Sequence, residues 1–175
     1  GGYTTDSLFD SADGILTHQE TTGVSFLVNE AASLTGSYVT TVADADINKW
    51  GVIVKSQTTG LSLRGSGVRI GSYTTDSAFD SVNGILTQQS TDGASFRASD
   101  NSIVTGTYHT AVAASDINKW GVVEKSQTLG VSLRGAGNLT GGYTTDSLFD
   151  SADGILTHQS TTGVSFLVNE AASLT

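Results

Sequence analysis

Apolar and polar residues alternate in four short stretches: Val24-Ser25-Phe26-Leu27, Leu61-Ser62-Leu63-Arg64, Ala94-Ser95-Phe96-Arg97 and Val131-Ser132-Leu133-Arg134. A period of two predicts a strand with one face toward a core. Val24 and Phe26 are therefore expected inside and Ser25 outside. A second apolar segment recurs as Ile15-Leu16, Val52-Ile53-Val54, Ile85-Leu86 and Val122-Val123. A third centres on a Gly-x-Tyr-x-Thr box with Leu34, Val104 or Leu139 just before it, and with Arg69 at the equivalent place in one copy. Glycine, Asn, Asp and Ser separate these segments, as turn residues do.

The segments repeat. Gly-x-Tyr-x-Thr opens at Gly1, Gly36, Gly71, Gly106 and Gly141, an unbroken spacing of 35. Residues 141–175 match 1–35 except that Glu20 becomes Ser160. Two glycines nine apart form a second anchor: Gly14/Gly23, Gly51/Gly60, Gly84/Gly93, Gly121/Gly130 and Gly154/Gly163. Alternate units differ: VTTVADADINKW stands where TTDSLFDSAD stands in the other type, so the full period is 70.

Three short strands per unit fit one turn of a solenoid. The expectation is an all-β, parallel β-solenoid (β-helix) of five coils, 1–35, 36–70, 71–105, 106–140 and 141–175, forming one repeat array. Equivalent residues would then stack about 4.8 Å apart. Tyr3, Tyr38, Tyr73, Tyr108 and Tyr143 would form a structural ladder. Helical repeats of similar length need long amphipathic helices, and Thr, Ser, Val and Gly occupy the places of good helix formers. A five-bladed propeller is the nearer rival, although its blades take four strands in about 40–45 residues.

Composition narrows the functional classes. The chain has 175 residues and no Cys, Pro or Met, hence no disulfide framework and no thiolate metal site. The missing initiator Met reads as a fragment or a processed product. No apolar run approaches the length of a transmembrane helix, and no signal peptide is evident within the segment. The net charge of −9 disfavours nucleic acid and anionic membranes and favours solubility. Surfaces rich in Thr and Ser suit an extracellular or cell-surface location.

Candidate chemistry is sparse. Asp44, Asp46 and Asn48 have the D-x-D-x-N look of a calcium loop, but Lys49 stands where glycine is needed and Ala114 replaces the first carboxylate in the second copy. The bland alternative is an Asx-rich corner. Asp6, Asp10 and Asp13 cluster, as do Asp146, Asp150 and Asp153. Paired carboxylates can cleave glycosidic bonds, but recurrence with the repeat, and Asn83 in place of Asp13, argue for solvated turns and no enzyme. His18, His109 and His158 lack partners at ligand spacing. Lys55 and Lys125 are expected to face water beside Gln57 and Gln127. Thr-rich solenoids include ice-binding proteins, but Val39 and His109 interrupt the column beside the threonines. Trp50 and Trp120 can either stack on sugar rings or fold over the end of the core, the second being expected. No cofactor motif is present.

The stretches GVSLRGAGNLTGGYTT (130–145) and GASFRASDNSIVTGTYHTA (93–111) resemble the passenger regions of bacterial autotransporters and large secreted adhesins. That resemblance implies an extracellular or surface rod, often part of a longer protein, and no particular ligand. The functional expectation is a structural, adhesive repeat rod or filament. Its partners would be copies of itself end to end or a continuation of the same chain, with surface glycans as further candidates. The alternative is a carbohydrate-binding module using Trp50, Trp120 and the tyrosines.

Overall fold

The computed structural model describes residues 1–27, 30–65, 67–135 and 137–166, with the side chains of 30–32 outside that description. The last nine residues of the expected fifth coil therefore lie outside the described residues. The strands are β1 (Gly2–Phe9), β2 (Leu16–Leu27), β3 (Glu30–Val42), β4 (Lys55–Arg64) and β5 (Val68–Phe79). They continue as β6 (Leu86–Arg97), β7 (Asp100–Val112), β8 (Lys125–Arg134), β9 (Asn138–Phe149) and β10 (Leu156–Ser165).

All ten strands form one sheet in chain order, and every neighbouring pair is antiparallel. This open meander corrects the expected parallel solenoid, or β-helix. Each 35-residue unit supplies two long strands instead of three short ones. The polar Thr-Thr and Ser-Gln stretches lie within these long strands. Thr suits a pleated backbone whichever face is wet. Equivalent residues of successive units consequently lie two strands apart, about 9.6 Å, not one rung of about 4.8 Å. The tyrosines do not stack directly on one another.

The two ends of the strands are built differently. At one end the described connection between β6 and β7, 98–99, is tight, and Gly65 and Gly67 both adopt positive φ (59° and 87°). At the other end six-residue connections (10–15, 80–85, 150–155) alternate with twelve-residue ones (43–54, 113–124). Each long connection carries a 3-10 turn, at Asp44–Asp46 or Ala114–Asp116, and closes on an isolated bridge, Ile47 to Ile53 or Ile117 to Val123.

Burial is slight. Among the described residues Val42 and Val112, where β3 and β7 enter the long connections, are the buried apolar side chains. The accessible surface is 10765 Å², against about 8,000 Å² for a compact monomer of this mass by the usual scaling. Val24 and Phe26 are half-buried and Ser25 is exposed, so the alternation marks the two faces of a thin sheet without an enclosed core.

Candidate functional site

The sheet register brings the tyrosines and the second anchor glycines into one row. Directly opposed residues share a face. Across the strands the row reads Tyr3, Gly23, Tyr38, Gly60, Tyr73, Gly93, Tyr108, Gly130, Tyr143, Gly163. Each ring from Tyr38 onward lies over the glycine of the preceding strand. A Cβ placed on Gly23, Gly60, Gly93 or Gly130 would fall 2.1–2.3 Å from the nearest ring atom of Tyr38, Tyr73, Tyr108 or Tyr143 respectively. No side chain fits there, and the ring covers backbone that glycine leaves bare.

The two anchor glycines therefore serve different ends. Gly14, Gly51, Gly84, Gly121 and Gly154 adopt positive φ of 67–80° at the loop end, where a Cβ is strained. Of their partners nine residues on, Gly23, Gly60, Gly93 and Gly130 sit under a ring. Burial and the neighbouring Tyr143 and Tyr73 push the Tyr108 phenol above its ordinary value of 10.0, as expected for a ring held within a row of its own kind.

Two residues further along the same face runs a row of ten threonines, Thr5, Thr21, Thr40, Thr58, Thr75, Thr91, Thr110, Thr128, Thr145 and Thr161. Alternate neighbours share hydrogen bonds, with Oγ1–Oγ1 distances of 2.8–2.9 Å. The opposite face is mixed. A shallow groove there is lined by Asp92, His109, Leu129, Val131, Thr144 and Val164. His109 Nδ1 lies 2.7 Å from Asp92.

The long connections carry the remaining expected residues. Asn48 Oδ1 accepts from the backbone N–H groups of Trp50 (2.9 Å) and Val52 (3.0 Å), and its Nδ2 donates to the Ser81 carbonyl at 2.6 Å. Asn118 repeats this with Trp120, Val122 and Ser151. Each Asn thus holds its own turn and ties it to the next short connection. Asp44 and Asp46 lie in the 3-10 turn, where the Asp46 carbonyl accepts from Val54 N–H. Asn48 thus spends its side-chain oxygen on backbone donors and braces the turn. Among the described residues no group of three His, Asp or Glu side chains could hold a metal.

Trp50 and Trp120 are 73% and 72% exposed, which corrects their expected place over the core. Lys49 and Lys119 lie over their rings at 5.0 and 5.1 Å. The carboxylate clusters form turns: Asp10 accepts from Ala12 N–H, Asp80 from Val82 and Asn83, and Asp150 from Ala152. Asp146 accepts from Gln127, and Asp6 faces Glu20 across β1 and β2. His18 lies 3.7 Å from Asp44, and His158 is exposed on β10. Lys55, Lys125, Gln57 and Gln127 are exposed.

The two kinds of basic residue are segregated along the strands. All four lysines lie on or beside the long connections, and all four arginines lie near the tight-turn end. There the Arg69 guanidinium stacks on Phe96 at 4.2 Å and donates to the Asn101 carbonyl.

The glycine beneath each ring is the feature that sequence periodicity did not assign. A usable signal exists: Tyr3-Thr4-Thr5 is answered in reverse by Thr21-Thr22-Gly23, and Thr58-Thr59-Gly60 by Tyr73-Thr74-Thr75. That mirror symmetry is what an antiparallel register looks like in sequence. No protein-family model matches the chain, and no curated protein matches it.

Proposed function

We propose that the chain is a structural, adhesive element of an extracellular or cell-surface repeat protein, working as a self-extending β-sheet. One observation carries this reading: the Tyr–Gly and Thr rows pass unchanged through every junction between repeats. Each strand therefore presents to the next the pattern on which that strand is built. The hydroxyl-rich surface and net negative charge keep such a sheet soluble, and the loosely adhesin-like repeats accord with it. Sedimentation and negative-stain microscopy of the purified chain test the reading. Concentration-dependent ribbons are expected; a monomer at every concentration up to millimolar would overturn it.

A second reading rests on the exposed Trp50 and Trp120. They belong to connections four strands apart, about 19 Å by strand spacing. Paired platforms at that separation suit a carbohydrate chain. Titration with polysaccharides, followed by tryptophan fluorescence, separates the two readings. Saturable quenching that is lost in Trp50→Ala/Trp120→Ala favours glycan binding, and unchanged emission removes it.

A further inference from the structure

The edge strands β1 and β10 carry the two halves of the interior contact, each without its mate among the described residues. Tyr3 on β1 is 75% exposed. Gly163 on β10 is covered by no ring: a Cβ there would meet the Gly142 carbonyl and the base of Tyr143. At every interior junction the corresponding glycine is covered, Gly23 by Tyr38, Gly60 by Tyr73, Gly93 by Tyr108 and Gly130 by Tyr143.

Resting on the self-association proposed above, we infer that copies of the chain join through β10 of one and β1 of the next. Tyr3 of the incoming copy sits on Gly163, with Thr5 opposite Thr161 and Thr4 opposite Thr162. The occupant is a second copy because β1 reproduces what an interior strand offers. The Leu156–Ser165 strand has the sequence of 16–25 except for Ser160 in place of Glu20. In the interior, 19–25 pairs with β3 through Tyr38 over Gly23 and Thr40 beside Thr21. β1 places Tyr3 and Thr5 at the same two positions and runs in the direction needed, since odd-numbered strands are mutually parallel in this meander.

The loops also permit the join. It sets two short connections side by side, 150–155 of one copy and 10–15 of the next, so no long connection has to be accommodated. The contact is heterologous and does not close on itself, hence an open ribbon. Each copy adds ten strands, or about 48 Å of ribbon.

The chain has no cysteine, which makes disulfide trapping clean. Full-length Thr5→Cys and Thr161→Cys proteins are mixed under oxidation, as are Thr4→Cys and Thr162→Cys, a pair on the other face. In-register mixtures should cross-link at least tenfold more than the out-of-register mixture of Thr4→Cys with Thr161→Cys, whose side chains leave opposite faces. Tyr3→Ala should raise the concentration for half-assembly at least tenfold with the thermal midpoint of the dilute monomer unchanged, and Gly163→Val should raise it at least as much. Ribbons that form normally in both variants, or that cross-link equally in all mixtures, overturn this junction and leave self-association standing. A monomer under all conditions overturns both.

Discussion

Tyr108 and Tyr3 hold equivalent places in the repeat, yet they live in different surroundings. Tyr108 lies on Gly93 with a strand on either side, while Tyr3 projects from an edge strand and is 75% exposed. Gly93 and Gly163 differ in the matching way, one beneath a ring and the other bare. The repeat unit alone therefore does not make its most distinctive contact. A neighbouring unit completes it, so the stability of a repeat depends on what lies beside it. In a sheet this thin, with two buried apolar side chains among the described residues, such junctions stand in for a core.

The largest difference between interior and edge is expected at the glycines. Gly93→Ala puts a methyl 2.1 Å from Tyr108 Cζ. The ring must lift off the sheet, at a cost of about 1–3 kcal/mol, the range for overpacking a close contact. Gly163→Ala meets no ring, only the Gly142 carbonyl at 3.0 Å, and should cost clearly less, under about 1 kcal/mol. Urea denaturation of the two variants checks this. Equal costs would mean that the interior ring is not seated as described.

A smaller effect is expected from the threonine row, where interior and edge should behave more alike. Thr75→Val and Thr145→Val each remove one partner of a hydroxyl pair at 2.8 Å. A loss of up to about 0.5–1.5 kcal/mol is expected for the part-buried Thr75 pair, and the exposed Thr145 pair should lie at or below the low end. The same denaturation series measures both.

The smallest difference concerns alkaline pH. The folded Tyr108 phenol titrates above its ordinary 10.0 because burial disfavours the phenolate. The neutral phenol's contribution is complete below pH 10 and is lost as pH rises through the raised folded value. Tyr108→Phe should therefore flatten the fall in denaturation midpoint between pH 9 and pH 11.

The strands were legible in the sequence because Leu-Ser-Leu and Val-Ser-Phe alternate cleanly, and the five-fold repeat was legible from its tyrosines. The direction of the strands was not. A period of 35 residues is satisfied equally by one solenoid turn and by an up-and-down pair, and apolar alternation carries no sign of parallel or antiparallel pairing. Counting Ile15-Leu16 and Val24-Ser25-Phe26 as separate strands gave three per unit, although the Thr-rich residues between them, like Gln57-Thr58 in β4, continue one strand. Those residues are paired across the sheet, and a sheet wet on both faces gives no apolar cue to their extent. For Trp50, adjacency to Val52 suggested a cap over a core. Asn48 instead ties the turn to Ser81 and leaves the indole in water.

The ring-on-glycine register can be observed directly by nuclear Overhauser spectroscopy of the full chain. The Hα protons of Gly23, Gly60, Gly93 and Gly130 should show contacts to the ring protons of Tyr38, Tyr73, Tyr108 and Tyr143 and upfield ring-current shifts, while Gly163 shows no such shift in dilute protein. Direct contacts between the rings of Tyr73 and Tyr108, with ordinary glycine shifts, would return the chain to a stack of like residues and contradict the antiparallel sheet.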